Sequence, residues 1–159
     1  NDPIANAPGE ILYLRDEVTT QTWTVAPAPL GHGEICLVRH GKGYSIWTQH
    51  SRELEQEVLA FVPTEDPVKI VRLRLKNRSD HERRITATYY AEWLLGALGS
   101  ASKPHVLCRY EPTSKAIIAT NNWNPEFEGR VAFLAASIEP HSFSGNRHDF
   151  LGTLYLCSQ

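Results

Sequence analysis

From Val68 to Gly96 the chain reads VKIVRLRLKNRSDHERRITATYYAEWLLG, and the reading of this stretch decides the fold. Val71, Leu73 and Leu75 alternate with Arg72, Arg74 and Lys76; farther on, Ile85, Ala87, Tyr89, Ala91 and Trp93 alternate with Thr86, Thr88, Tyr90 and Glu92. A period of two sends successive side chains to opposite faces, so each arm is a strand with one buried face. Asn77, Arg78, Ser79, Asp80 and His81 supply polar turn chemistry between the arms, which predicts a long antiparallel hairpin. A hairpin is unstable alone, so its apolar face requires a partner sheet.

Working outward, the same alternation recurs in short pieces. Residues 11–15 and 22–25 form a small hairpin around Trp23, and residues 35–38 lead into the turn RHGKGY at 39–44. Residues 44–50 and 54–62 read as a strand pair, although Leu54, Val58 and Phe61 also fit one face of a helix turn. Residues 105–110 and 116–120 are two further strands joined by a turn at 111–115. The apolar run at 131–136 predicts a strand buried on both faces. Residues 1–10 have linker composition, 96–104 (GALGSASKP) and 121–129 (NNWNPEFEG) are loops, and 139–152 is irregular. With about nine or ten short strands and no sustained helical period, the chain is an all-β, antiparallel sandwich.

At 159 residues the chain has room for one substantial core, so residues 1–159 are expected to be a single domain. The net charge is −2 and the cations are scattered along alternating positions, which excludes the continuous basic patch of a nucleic-acid binder. No apolar run reaches the roughly 18 residues of a membrane-spanning helix, so no direct membrane insertion is expected. The three cysteines, Cys36, Cys108 and Cys157, are far apart and odd in number, which suits a reducing, cytoplasmic setting. The absence of any methionine points to a piece of a longer polypeptide.

The chemistry-bearing residues fall in two loops. In RHGKGY, Gly41 and Gly43 permit close approach of a ligand or simply make a turn between strands, and Arg39, His40 and Tyr44 are the side chains available there. In NNWNPEFEG, Trp123 offers a flat face of the kind that stacks on sugar rings, with Asn121, Asn122 and Asn124 as hydroxyl partners. Trp123 with Asn121, Asn122 and Asn124 therefore has the composition of a ligand or partner contact, whereas a glycine-dependent turn is the favoured reading of Arg39, His40 and Tyr44. The seven histidines show no paired ligand spacing, so neither a metal nor another cofactor is expected. Glu92 has the chemistry of an acid or base but also that of an exposed strand residue. Ser45 and Ser144 lack the nucleophile-elbow pattern, and no catalytic residue is assigned.

Five ordered segments carry a resemblance: NDPIANAPGEILYLRDEVTTQTW, LVRHGKGYSIWTQHS, AFVPTEDPVKIVRLRLKNRSDHERRITATYYAEWLLG, NNWNPEFEGRVAFLA and SGNRHDFLG. In this order they resemble the N-terminal β-sandwich of the inverting glycoside phosphorylases, cellobiose and chitobiose phosphorylase among them, and most of all the matching region of the cyclic β-1,2-glucan synthases. The resemblance implies a super-sandwich of the galactose-mutarotase-like type, here incomplete, in a parent enzyme that acts on β-glucan or oligosaccharide and can be anchored in the bacterial inner membrane. It implies that catalysis belongs to a helical barrel absent from these residues, so the chain alone is expected to be inactive, and that carbohydrate or partner contacts fall in the loops 39–44 (Arg39, His40, Tyr44) and 121–129 (Asn121, Asn122, Trp123, Asn124). A sandwich cut at 159 leaves an uncovered edge, and a homodimer or other oligomer is expected. The alternatives are a free-standing carbohydrate-binding module and an enzyme of mutarotase type using Glu92 with a histidine.

Overall fold

The computed structural model describes residues 9–30, 33–96, 102–123, 125, 128–146 and 150. Among these are ten strands: β1 (Glu10–Asp16), β2 (Thr22–Thr24), β3 (Cys36–Gly41), β4 (Tyr44–Ser51), β5 (Leu54–Phe61), β6 (Ile70–Asn77), β7 (Ile85–Ala91), β8 (Val106–Glu111), β9 (Ala116–Asn121) and β10 (Val131–Ala135). All pairings are antiparallel, as the all-β reading expects. The chain divides into two compact units, Asn1–Glu92 and Trp93–Gln159.

The first unit holds two sheets, ordered β2-β1-β7 and β3-β4-β5-β6. This corrects the expected hairpin: β6 pairs with β5, from Leu54↔Asn77 to Phe61↔Ile70, whereas β7 pairs with β1, from Glu10↔Ala91 to Asp16↔Ile85. The polar connection between them is real but spans the sheets. Asn77 Oδ1 accepts from the Ser79 N–H at 3.0 Å and Asn77 Nδ2 donates to His81 O at 2.6 Å, which curls the chain off β6. Arg78 N then donates to Glu53 O beside one sheet, and Arg84 O accepts from Glu17 N beside the other, each near 2.9 Å or less. The second arm also stops at Ala91, short of Trp93.

Both arms nevertheless serve one core, because their apolar faces meet the same residues. Leu14, Trp23, Val25, Leu54 and Val58 are buried, and Leu12, Trp47, Val71, Leu73, Leu75 and Ile85 pack against them. Strand geometry is also what β5 adopts, which settles the strand-or-helix alternative at 54–62. Its alternation puts Leu54, Gln56 and Val58 inside. The buried amide of Gln56 is satisfied, since its Oε1 accepts from Trp23 Nε1 at 2.7 Å and its Nε2 donates to Ser51 Oγ at 2.9 Å.

The two-residue turn between β4 and β5 is built from Arg52 (φ 54°) and Glu53 (φ 56°), a left-handed pair that normally selects asparagine and glycine. Arg83 Nη1 donates to Arg52 O at 2.9 Å and Arg78 N donates to Glu53 O at 2.8 Å, which holds the turn in this conformation. The Glu53 side chain is exposed. Glu53→Gly is therefore expected to raise stability by about 0.5–1 kcal/mol through relief of the left-handed strain, measured by urea unfolding.

In the second unit the sheet order is β10-β9-β8, and the β8–β9 hairpin lies where the sequence places it. Glu111 Oε2 accepts from Ser114 N at 2.6 Å and its Oε1 from Thr113 N at 3.2 Å. These two N–H groups, that of Ser114 first, hold the Glu111 carboxyl at about 2. The expectation for 131–136 is corrected: Val131 and Phe133 are 59% and 52% exposed, and only Ala132 and Leu134 on the opposite face are half-buried. A run of apolar residues reports hydrophobicity on both faces but not whether the chain supplies a cover for both.

Candidate functional site

Each unit contributes one of the two sequence-predicted clusters. In the first, RHGKGY closes the β3–β4 hairpin around Lys42 and Gly43, whose φ of 77° is the left-handed value that glycine tolerates. Arg39 and His40 are neighbours on β3 and so point to opposite faces. His40 Nδ1 lies 2.8 Å from Ser45 Oγ, and the ring meets Trp47 edge-on at 6.5 Å. Tyr44 turns to the face of Arg39 and covers Gly41, where any Cβ would collide with the phenol ring. The two chains of pairing then set rows on this outer face: Tyr44, Phe61 and Ile70 in one, and Arg39, Ile46, Leu59 and Arg72 in the next.

The second cluster lies beyond β9. Asn121 is buried, and its Nδ2 donates to Leu95 O at 2.7 Å and to Ser102 O at 3.1 Å, while its Oδ1 accepts from Trp123 N at 2.9 Å. This amide fixes the loop from beneath and leaves Asn122 and Trp123 at the surface. Asn121→Ala is expected to cost about 2–3 kcal/mol by leaving buried carbonyls unpaired, read as an earlier urea midpoint. Trp123 is 49% exposed and stacks on His105, with ring centroids 5.2 Å apart and planes 3° from parallel. Asn124 lies outside the described residues.

The alternation at 105–110 predicts that His105 opens a strand and gives it no role at the site. Instead His105 ends the 3-10 turn Lys103–His105, and the strand begins one residue later. Nothing in the spacing of His105 and Trp123 announces that they meet, because the contact depends on where the β8–β9 hairpin returns the chain.

A third feature escaped the sequence entirely. A cleft of about 310 Å³ in the first unit is lined by Asp16, Trp23, Arg52, Glu53, His81 and Arg83 among others. Arg83 donates from Nε and Nη2 to Asp16 Oδ2 at 3.0 and 2.5 Å, and the Arg52 guanidinium lies 5.0 Å above the Trp23 ring. The N–H of Thr19, the Arg83 guanidinium and the N–H of Val18 together hold the Asp16 carboxyl at about 2. Arg83 satisfies the Asp16 carboxylate and bonds Arg52 O, so it ties three loops together, while the buried Arg52 Nε has no hydrogen-bond partner among the described residues.

The remaining chemistry is quiet. Burial pushes the thiols of Cys36 and Cys108 above their ordinary value, which disfavours the reactive thiolate. Glu92 follows β7, and its N–H donates to Gly9 O at 2.7 Å, extending the β1–β7 pairing. Among the described residues no three of His, Cys, Asp and Glu gather as a metal site, and no helix is long and apolar enough to cross a membrane.

Residues 1–156 match the supersandwich domain of glycosyl hydrolase 94. The chain is 36% identical over 154 residues to the cyclic beta-(1,2)-glucan synthase NdvB of Rhizobium meliloti (strain 1021), covering 96% of this chain and 5% of that protein. It is 27% identical over 153 residues to the N,N'-diacetylchitobiose phosphorylase of Vibrio proteolyticus, covering 91% and 19%. It is 29% identical over 147 residues to the solabiose phosphorylase of Paenibacillus borealis, covering 88% and 19%. The chain thus spans at most about a fifth of the length of these relatives. With nearly every residue matched and an antiparallel all-β architecture, the chain belongs to the glycosyl hydrolase 94 supersandwich domain family.

Proposed function

We propose that this chain is a non-catalytic, carbohydrate-associated sandwich domain of a β-glucan-processing glycoside phosphorylase or cyclic β-1,2-glucan synthase. In the parent protein it packs against a helical barrel, shapes the substrate site and takes part in dimer contacts; the parent works in the cytoplasm or at the inner face of the membrane. The observation that carries the sugar contact is the half-exposed Trp123 ring, stacked on His105 and flanked by the exposed Asn122. An aromatic platform contributes about 0.5–1.5 kcal/mol beyond area burial. That is far short of the roughly 4 kcal/mol of millimolar binding, so the platform adds to a site formed mainly elsewhere.

Calorimetric titration of the chain with β-1,2-linked glucose oligosaccharides is therefore expected to give little or no heat. In a parent enzyme, Trp123→Ala is expected to raise KM roughly 3- to 10-fold with kcat little changed. Saturable heat from the chain alone, removed by Trp123→Ala, would instead establish a free-standing carbohydrate-binding module. Unchanged KM in the parent would overturn the sugar-contact reading. Self-association is read from β10, which pairs only with β9 among the described residues and exposes Val131 and Phe133. Sedimentation equilibrium at high concentration is expected to give a dimer that Phe133→Glu weakens; a monomer throughout counts against it.

A further inference from the structure

We infer that the outer face of the β3-β4-β5-β6 sheet docks an amphipathic helix with acidic flanks, seated over β4 and β5 between two rims of arginine. This rests on the reading that the domain packs against a partner, and it gives that partner a face and a chemistry. Leu54, Gln56 and Val58 of β5 turn to the core, so Leu59 and Phe61 stand on the other face with their neighbours in register. Ile46 lies beside Leu59, Tyr44 beside Phe61, and Ile70 follows Phe61 on β6. These five side chains form an apolar floor. Ile46, Leu59 and Phe61 are half-buried, and Tyr44 and Ile70 are 45% and 40% exposed.

Cations bound the floor on both sides. Arg39 on β3 begins the row that runs through Ile46 and Leu59, Arg72 on β6 ends it, and Arg74 stands on the same rim one row along. On this face only Glu55 and Glu57 are acidic, and both are engaged. Arg72 Nη2 donates to Glu57 Oε1 at 3.2 Å, and Arg78 Nε donates to Glu55 Oε1 at 2.6 Å. Among the described residues no carboxylate forms an ion pair with Arg39 or Arg74. A face with spare cations, in a chain whose net charge is −2, selects an acidic partner. Tyrosine, phenylalanine and arginine around an apolar centre are also the composition of a protein interface.

The shape of the occupant follows from the register. Three strand spacings separate the β3 and β6 backbones, about 14 Å. A helix with its side chains is about 10–12 Å across, so one seated over β4 and β5 fits between the rims. Its apolar stripe at i, i+3, i+4 and i+7 meets the floor, and residues on either side of that stripe meet Arg39 on one rim and Arg72 and Arg74 on the other. A strand added to either edge of the sheet would alternate its side chains between the two faces and reach one rim only. A second copy of this face would set arginine against arginine, which is repulsive.

The test uses a fluorescein-labelled, alanine-based peptide of about 18 residues, long enough to be helical alone, with leucine along one stripe and glutamate on both sides of it. One control carries lysine for glutamate, and another a central proline that breaks the helix. By fluorescence anisotropy at low salt the glutamate peptide is expected to bind about tenfold tighter than either control, and to weaken as salt rises. Arg39→Glu and Arg74→Glu, on opposite rims, are each expected to weaken it about threefold or more. The double variant is expected to reverse the preference and bind the lysine peptide better, a gain that a misfolded chain would not show. Absence of binding, equal binding of the glutamate peptide and either control, or a loss confined to one rim would overturn the inference. So would phosphatidylglycerol vesicles that bind as tightly as the glutamate peptide and are released by the double variant, which would assign the face to an anionic membrane. Trp123→Ala is expected to leave peptide binding intact, and its effect on KM in a parent enzyme is scored separately, so failure here and failure of the sugar-contact reading are distinct results.

Discussion

Trp23→Ala is expected to lower the stability of the first unit by about 3–5 kcal/mol, the largest loss from any single apolar truncation in it. The side chain is 1% exposed and sits on β2, a strand of three residues whose register with β1 pairs Trp23 with Leu14. So short a strand contributes few backbone hydrogen bonds, and its attachment depends on the indole filling the space between Leu14, Val25, Leu54 and Val58. Truncation leaves a cavity lined by these side chains and removes the donor from Gln56 Oε1, a buried acceptor 2.7 Å away. It also removes the ring beneath the Arg52 guanidinium. Trp23→Phe keeps much of the volume but not the N–H, so it is expected to cost less, about 1–3 kcal/mol. Equilibrium urea unfolding followed by far-ultraviolet circular dichroism separates the two variants. Equal stability of wild type and Trp23→Ala would mean that β2 is not part of the cooperative core.

The contrast with Trp123 shows where sequence reading succeeds. Trp23 stands in a short alternating strand and Trp123 among asparagines and a proline, and the structure buries the first and half-exposes the second. Alternation likewise places the strands well, because a period of two is a local property of each segment. It does not encode which strand pairs with which. The polar turn between β6 and β7 predicts that they pair, yet the Asn77 side chain stabilises a bend that suits a crossing between sheets as well as a hairpin. The pairing of β7 with β1 is decided by contacts up to about eighty residues apart, such as Tyr89 Oη donating to Glu10 Oε2 at 3.0 Å.

The same limit governs the site residues. Arg39, His40 and Tyr44 are close in sequence, but the pleat sends His40 to the face opposite Arg39 and Tyr44, so they do not converge on one ligand. Asn121 and Trp123 do belong to one loop, with Asn121 as its buried anchor. His105 was illegible because it reaches Trp123 only through the return of the β8–β9 hairpin.

Arg83→Ala is the second large expected loss, and its dependence on pH identifies the cause. Asp16 is 2% exposed, and its Oδ2 takes both hydrogen bonds from Arg83, while its Oδ1 accepts from the N–H groups of Val18 and Thr19 at 2.8 and 3.0 Å. Removing the guanidinium strands a buried carboxylate and also frees Arg52 O, so the left-handed turn loses its clamp. The loss is expected to exceed by a wide margin that from Lys115→Ala, whose partner Glu139 is exposed. The Asp16 carboxyl is depressed from 3.8 to about 2 in the folded chain. A group depressed in this way stabilises the fold fully above its unfolded value, and the contribution disappears as pH falls through the folded one. Wild type is therefore expected to lose stability between about pH 4 and pH 2 more steeply than Asp16→Asn, and the gap between wild type and Arg83→Ala to narrow over the same interval. Urea midpoints measured at steps across that window decide it: a gap independent of pH would assign the effect of Arg83 to packing and to its bond with Arg52 O, not to the charge on Asp16.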